Sequence, residues 1–161
     1  MSFRSFQSLA SSRVRFGFFM LVKLPAAFFS GVRICKINEE SAEVSLPYKW
    51  FTQNPFRSTY FACQAMAAEM STGVLALGHL HKRNPKVSML VTGLKASFFK
   101  KATGRTYFSC KAGLDALKAI EKAIATGEAQ TIEMKSTGYN KEGELISEFI
   151  IEWSFKRKAK P

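Results

Sequence analysis

One acidic residue stands out because of the segment in which it lies. Glu69 is the only acid between Trp50 and Gly113, and the surrounding run 60–77 is rich in alanine and methionine. An ionised carboxylate in apolar surroundings is costly unless it is paired, so its pKa is expected to be raised. Perturbed carboxylates of this kind cluster at catalytic sites. The alternative is that Glu69 points outward and makes a surface or interface ion pair.

The segment just ahead of that run supplies polar groups of another kind. Gln53 and Asn54 carry side-chain amides, and the helix that follows begins with free backbone N–H groups. Such N–H groups can hold a developing oxyanion. The pair Asn54-Pro55 can equally be no more than a turn, and residue type alone leaves both interpretations open.

The cysteines and histidines do not form a site by their spacing. Cys35, Cys63 and Cys110 are scattered and odd in number, so no disulfide framework is predicted. The sequence offers no histidine near Cys63 that could activate it, so Cys63 is expected to be a buried packing residue and not a nucleophile. His79 and His81 have no cysteine or carboxylate at ligand spacing, so no metal site is predicted. Both histidines are expected in a solvated loop or, alternatively, on a basic rim for an anionic ligand.

The composition describes one globular domain with a basic surface. The chain has 161 residues, of which 47% are hydrophobic, and its Lys and Arg total of 24 exceeds its Asp and Glu total of 12. The net charge of +12 suits a polyanionic partner, either a nucleic acid or the phosphates of coenzyme A. No zinc finger and no aromatic RNP strand is present, which disfavours nucleic acid.

The N-terminal segment is basic and amphipathic. The first 38 residues contain six basic residues and no acid, and apolar residues recur every three to four positions over 3–22. This pattern predicts one helix that lies on the core, with an organelle transit peptide as the alternative. The apolar run 16–29 is broken by Lys23 and Pro25 and is shorter than the ~20 residues that a membrane span needs. No membrane span is therefore predicted, and a cytoplasmic location is expected.

The remaining elements follow from changes in the hydrophobic period. Alternation over 32–37 and 42–50 predicts a hairpin with an Asn-Glu-Glu turn. The run 58–77 is apolar nearly all round and predicts a buried central helix, with Ser58 or Thr59 as its N-cap. Further strands are predicted at 87–98, 105–112, 129–137 and 144–156, and a short helix at 114–126.

These elements predict an α+β fold in which one antiparallel sheet wraps the central helix, because nothing else is long enough to cover it. A sheet of this size leaves edges and an uncovered face, so two subunits are expected to pair. The predicted organisation is an N-terminal amphipathic helix at 1–23, a main domain at 24–157 and a basic tail at 158–161.

The arrangement resembles the hotdog-fold thioesterase superfamily over roughly residues 24–157. It is most similar to the uncharacterised branch of phenylacetyl-CoA-thioesterase-like domains, which carries an N-terminal helix and a helix before the last two strands. The strand that ends at Leu46-Pro47 and the Asn54 of the next loop match the superfamily. So do Glu69 in the Ala-rich helix, Gly73 one turn later, and the exit of the long strand at 98–104.

The resemblance implies an acyl-CoA thioester hydrolase that needs no cofactor and has its active site at a dimer interface. Asn54 would orient or polarise the substrate, and Glu69 would be the general base or the nucleophile. Backbone N–H groups near Phe61 and Ala62 would hold the thioester oxygen. The other residues that the resemblance places at the site are Tyr60, Thr72 and Gly73 around the substrate, and Lys100, Lys101 and Arg105 at the coenzyme A phosphates.

The sequence departs from the superfamily at the start of the helix and beyond the acid. Relatives often have His-Gly-Gly where this chain has Tyr60-Phe61-Ala62, and some place a hydroxyl where it has Gly73. Dehydratases of this fold need a histidine ahead of the helix, and none occurs between Trp50 and Glu69. The first hypothesis is therefore an acyl-CoA thioester hydrolase, as a homodimer or a dimer of dimers. The second is a non-catalytic acyl-CoA or fatty-acyl binding protein, and the third is a basic nucleic-acid-binding protein.

Overall fold

The computed structural model describes residues 2–159, so Met1, Lys160 and Pro161 lie outside the described residues, including the end of the predicted basic tail. The elements follow one another along the chain without long irregular segments. In order they are α1 Ser2–Ser11, α2 Arg13–Lys23, α3 Pro25–Ser30, β1 Arg33–Ile37, β2 Ala42–Leu46, a 3-10 helix Trp50–Thr52, α4 Phe61–Leu80, β3 Val87–Phe98, β4 Thr106–Cys110, α5 Gly113–Thr126, β5 Gln130–Asn140 and β6 Leu145–Arg157.

The six strands form one antiparallel sheet in the order β1-β2-β4-β5-β6-β3, and α4 packs on one of its faces. Alanines on the buried side of α4 let the helix backbone approach β2, β4 and β5 closely, and Ala67, Ala68 and Leu75 are fully buried there. The predicted α+β hotdog fold is therefore confirmed. The helix α4 lies mainly over β2, β4 and β5, whereas β3 is the last strand in the order and is therefore an edge strand.

The start of α4 differs from the prediction. The helix begins at Phe61, and neither Ser58 nor Thr59 caps it. The Ser58 hydroxyl donates to Asn54 Oδ1 at 3.2 Å, and the Thr59 hydroxyl donates to the carbonyl oxygen of Ala102 at 3.1 Å. Both hydroxyls are therefore committed to the preceding loop, and the first turn of α4 keeps its backbone N–H groups free of a side-chain cap.

The single helix predicted over 3–22 is wrong, because the chain turns sharply at Ser12. This residue is the N-cap of α2, and its hydroxyl accepts a hydrogen bond from the Arg15 N–H at 3.4 Å. A third helix begins at Pro25 and ends at Gly31, whose φ of +80° favours glycine. The first of these helices, α1, packs on α4 and on β1 and so protects that end of the sheet.

The expectation of a solvated loop is wrong for His79, whereas His81 does lie just beyond α4, as its C-cap. α4 extends to Leu80, so His79 lies in its last turn and is buried under the ring of Phe3, 4.7 Å away between centroids. Its Nε2 lies 3.1 Å from the carbonyl oxygen of Glu39. His81 is half-buried beside Phe6. Sequence spacing could not reveal this burial, because α1 covers the histidines from a distant part of the chain.

Burial gives His79 a predictable effect on stability. Desolvation is the main cause that lowers its pKa below the ordinary 6.5, with Arg83 acting in the same direction and Glu39 opposing it. The unfolded chain therefore binds a proton more readily, so stability is fully present above pH 6.5 and is lost as the pH falls below it. We expect the melting temperature of His79→Gln to fall less than that of the wild type on acidification. Parallel melting curves against pH would contradict this assignment.

The end of the second predicted strand also needs correction. The hairpin prediction extends that strand to residue 50, but β2 ends at Leu46, before Pro47, which cannot donate a ladder hydrogen bond. Trp50 instead begins the 3-10 helix and is 83% exposed. The predicted helix at 114–126 is confirmed, and it ends at Gly127 in the left-handed region. Across residues 2–159, the helices are too short or too polar to cross a bilayer.

Candidate functional site

Glu69 is half-buried on α4 and makes no salt bridge or side-chain hydrogen bond within the described chain. Burial raises the pKa of its carboxyl group above the ordinary 4.5. The alternative of an ion pair with another group of the same chain is therefore not observed. A carboxylate that is partly desolvated and unpaired is a stronger base than one in water.

A glycine gives the carboxylate its space. A Cβ atom at Gly73 would lie 3.4 Å from Glu69 Oε1 and 3.2 Å from the ring of Trp153. A side chain at this position would therefore press on the ring of Trp153, and its Cβ atom would already be in van der Waals contact with the acid. The Thr72 hydroxyl is buried: it donates to the main-chain carbonyl of Glu69 and accepts from Trp153 Nε1–H, both at 2.9 Å. Thr72 therefore holds the helix and the tryptophan in place and does not face a substrate.

Glu69 belongs to the one side of α4 that the sheet leaves partly open. The half-buried residues Ala62, Ala65, Met66 and Glu69 follow the three-to-four spacing of a single helix face. This face starts at the first turn of α4, and Leu77 continues it, 38% exposed. An uncovered helix face that carries an acid is where a substrate or a second subunit can pack.

Beside the start of α4 lies a cavity of about 800 Å³. Its walls combine aromatic rings with a few polar groups, the composition of a small-molecule site. The lining residues include Phe56, Tyr60, Phe61, Phe98 and Phe99 as the apolar part, and Asn54, Ser58, Gln64, Lys100 and Lys101 as the polar part.

The first two backbone N–H groups of α4 belong to Phe61, which lines this cavity, and to the next residue, Ala62. The first intrahelical hydrogen bonds of α4 come from Cys63 and Gln64, both to the carbonyl of Tyr60. The N–H groups of Phe61 and Ala62 have no acceptor among residues 2–159. They match the position predicted for an oxyanion site, although Ala62 itself does not line the cavity.

The side chain of Asn54 organises the loop at the cavity wall. Its Oδ1 accepts from the N–H of Phe56 at 3.0 Å and from the N–H and the hydroxyl of Ser58, both at 3.2 Å. Arg57 adopts a φ of +58° inside this turn. The oxygen of Asn54 is thus occupied, and only its NH₂ group is left to face a substrate; that role stays a prediction.

Gln64 is a polar lining residue that the sequence analysis did not select. Its Nε2 donates to the carbonyl of Thr59 at 3.3 Å, and its Oε1 accepts from the Ser147 hydroxyl at 2.8 Å. The amide therefore ties the first turn of α4 to β6 and keeps the cavity wall rigid. A lone glutamine in an apolar helix is the signal that could have identified it.

The three predicted phosphate-binding cations are divided between two adjoining cavities, and Lys101 lines both of them. Lys100 and Lys101 line the larger cavity. Lys100 Nζ pairs with Glu144 at 2.5 Å, and hydrogen bonds from Lys100 and Asn140 hold the pKa of Glu144 below its ordinary value. Lys101 Nζ donates to the carbonyl of Phe56 at 3.4 Å. Arg105 lies outside this cavity but lines the smaller adjoining one, of about 340 Å³, together with Lys101. Its guanidinium donates to the Ser45 hydroxyl at 3.4 Å.

A family model that matches most of the chain identifies the family to which the protein belongs. The model of DUF4442, a domain of unknown function, matches residues 14–155. The chain belongs to this family. A search of the curated proteins finds no match to it.

Solved structures similar to this DUF4442 domain carry the same fold. A Pseudomonas aeruginosa protein of unknown function, described as a probable thioesterase, is 16% identical with a TM-score of 0.73 over 86% of this chain and 93% of its own. A Chlorobaculum tepidum protein of unknown function is 16% identical with a TM-score of 0.77 over 94% and 99%. A thioesterase from Haemophilus influenzae is 12% identical with a TM-score of 0.66 over 92% and 93%. At these identities the likeness establishes the hotdog fold.

The other cysteine, histidine and acidic side chains of this DUF4442 domain do not form a second reactive centre among residues 2–159. Cys63 is buried, and burial raises the pKa of its thiol, which makes it a poor nucleophile. Within the described part of the chain, no three His, Cys, Asp or Glu side chains lie close enough to hold a metal ion. Glu69 and the helix start therefore remain the groups from which a reaction can be built.

Proposed function

We propose that this protein is an acyl-CoA thioester hydrolase whose active site is completed in a homodimer. The observation that carries the proposal is the unpaired, half-buried carboxylate of Glu69 on the open face of α4, with a raised pKa. The same helix begins with two free N–H groups at a cavity that has aromatic and cationic walls. The thioesterase descriptions of several proteins with this fold agree with that chemistry.

The proposed reaction is the addition of water to the thioester carbonyl. The carbonyl oxygen lies at the N–H groups of Phe61 and Ala62, which stabilise the negative charge that develops on it. Glu69 removes a proton from water, the hydroxide adds to the carbonyl carbon, and a tetrahedral intermediate forms. The C–S bond then breaks, and the coenzyme A thiolate takes up the proton, which leaves a free carboxylic acid.

Helix geometry indicates that the two halves of this site come from different subunits. Glu69 follows Phe61 by eight residues, which is about 12 Å along a helix that rises about 1.5 Å per residue. That separation is too long for one carboxylate to activate water at a carbonyl bound by the N–H group of the same chain. A two-fold axis beside α4 would bring Glu69 of the partner subunit to the N-terminal end of the first helix.

The inner face of β3 is the surface where we place the second subunit. Three apolar residues of β3 lie opposite residues of β6 that are buried: Val91 opposite Trp153, Leu94 opposite Ile151 and Phe98 opposite Ser147. Because α4 does not extend over β3, these three side chains are 37%, 53% and 49% exposed. An edge strand with an uncovered apolar face is expected to pair. A partner there would cover β3 and enclose Glu69.

Coenzyme A phosphates are expected at the mouth of the cavity beside Lys101. Its ammonium group makes only one long hydrogen bond, whereas Lys100 would have to leave Glu144 to bind a phosphate. The thioester is the substrate, and no further cofactor is needed for hydrolysis.

The decisive experiment is an acyl-CoA panel that extends from short to long and aromatic acyl groups. Thiol release is followed with a chromogenic disulfide, and binding is measured separately by calorimetry. We expect hydrolysis of at least one member. Tight binding without thiol release would instead identify a non-catalytic acyl-CoA binding protein. Steeply salt-dependent binding to mixed-sequence RNA without acyl-CoA affinity would identify a nucleic-acid-binding protein.

A further inference from the structure

The helix α2 exposes an apolar face that nothing in the described chain covers. Phe16 and Met20 anchor the helix to the protein, whereas Val14 is 82%, Phe18 69% and Val22 57% exposed. These three residues repeat at intervals of four and therefore lie in one row, which Leu21 widens. Isolated exposed apolar residues are common, but a row of them along one helix marks a binding surface.

Cations border this row on both sides. Successive residues of a helix are about 100° apart around its axis. Viewed down α2, the exposed apolar residues therefore fill an arc of about 100° from Leu21 to Val22. Arg15 lies just beyond Val22, and Arg13 lies beyond Leu21. Lys23 ends the helix, and the first 38 residues contain no acid. An apolar stripe flanked only by positive charge is the pattern of a helix that lies in the interface of an anionic membrane.

The exposed apolar surface continues beyond α2. Phe28 and Phe29 on α3 are 37% and 54% exposed, and Lys49 Nζ donates to the carbonyl of Phe29 at 2.8 Å. Lys49 thereby connects α3 to the 3-10 helix, where Trp50 is 83% exposed. Aromatic residues with a polar edge, tryptophan above all, are enriched at membrane–water interfaces.

A cationic groove runs beside the same helices. It has a volume of about 820 Å³ and lies between α2, α3 and the strands β1 and β2. Four cations and no carboxylate line it: Arg13, Arg33, Lys49 and Arg105. Four positive side chains without a counter-charge are complementary to phosphate groups at the end of apolar chains.

We infer that α2, α3 and the 3-10 helix together form a docking surface for an anionic phospholipid bilayer. This lipid-facing surface lies at the β1 end of the sheet order, whereas the proposed subunit contact lies at the β3 end, so dimerisation leaves it free. The loop that lines the cavity, 53–60, begins directly after the 3-10 helix. The inference rests on exposure and charge and does not depend on catalysis.

The test is co-sedimentation of the full chain with vesicles. Wild-type protein is expected to bind phosphatidylcholine vesicles that contain about 30% phosphatidylglycerol, to bind pure phosphatidylcholine weakly, and to be released by salt. The double variant Phe18→Asp/Val22→Asp should lower the bound fraction about tenfold or more. Both side chains are exposed, so the melting temperature should be unchanged. The matched control is Leu114→Asp, which changes an exposed leucine on α5.

The charged border is tested by Arg13→Glu/Arg15→Glu, which should weaken binding to anionic vesicles and remove its salt dependence. The inference is overturned if wild-type protein does not bind these vesicles, or if the α2 variants bind as well as Leu114→Asp. It is also overturned if the α2 variants halve the mass of the protein in solution, because a second copy then covers this face. Hydrolysis of soluble acyl-CoA should be unchanged in all variants.

Discussion

Replacement of Glu69 by glutamine is expected to slow hydrolysis by orders of magnitude and to stabilise the fold. Glutamine keeps the size of the side chain but cannot accept a proton from water, so kcat should fall about 10²–10⁴-fold, the usual contribution of a general base. Thiol release with the best substrate of the panel measures this change. Affinity for the acyl-CoA should change little, because Glu69 does not line the cavity in which the substrate binds.

The stabilising effect follows from the direction of the pKa shift. Burial raises the pKa of Glu69, so in the pH range above 4.5 the folded protein holds the proton more tightly than the unfolded chain. Stability is therefore lost as the pH rises through this range, and at neutral pH the folded state contains a partly desolvated charge. Glu69→Gln removes that charge and should raise the melting temperature at pH 7 but not at pH 4.

The matched control for both effects is Glu133→Gln, which changes an exposed acid on β5. It should alter neither hydrolysis nor the melting temperature. If Glu69→Gln retained full activity in a folded protein, the catalytic assignment of Glu69 would be wrong. If it lost activity and stability together, Glu69 would be a structural residue.

Mixing two inactive variants tests whether the site is shared. Phe61→Pro removes one N–H group at the first position of α4, where proline fits, and the extended backbone of Tyr60 suits a residue before proline. When Phe61→Pro and Glu69→Gln subunits exchange randomly, half of the dimers are mixed, and each contains one intact pair of groups. Activity should then recover to about a quarter of the wild-type value. If both groups belonged to one subunit, no activity would return.

The local period of the sequence predicted most of the elements, and the isolated acid Glu69 led to the candidate site. Alternation in strands and the apolar run 60–77 depend on residues that are near in sequence, so the sheet and α4 follow from them. Contacts between distant segments could not be found in this way. Phe3 covers His79 from a distant part of the chain, and Ser147 on β6 donates to the Gln64 amide, which lines the candidate cavity.

Helix starts were predicted less well than helix interiors, for a physical reason. Ser58 and Thr59 are good N-cap residues by type, but each hydroxyl has a competing acceptor in the folded loop. In the same way, loop N–H and hydroxyl groups donate to the side-chain oxygen of Asn54, which is then not available to a substrate. Residue type gives the hydrogen-bonding capacity of a side chain, whereas tertiary structure decides which partner it takes.

Substitution of Leu94 by aspartate is expected to separate the proposed subunits and to stop the proposed hydrolysis. Leu94 lies opposite the buried Ile151 and so faces the uncovered side of β3, where it is 53% exposed in a single subunit. A charge at the centre of an apolar interface costs about 2 kcal/mol or more, and the two-fold axis repeats it. The dimer dissociation constant should therefore rise about 10³-fold. Light scattering coupled to size-exclusion chromatography measures the mass.

The same strand provides the control, because side chains alternate between its two faces. Leu90 is 65% exposed and lies opposite Ser154 on the outer face, so Leu90→Asp should leave both mass and hydrolysis unchanged. Hydrolysis by Leu94→Asp should fall with the dimer fraction and return at high protein concentration, because each site then regains Glu69 from the partner subunit. A Leu94→Asp protein that is monomeric and fully active would show that one subunit contains the whole site.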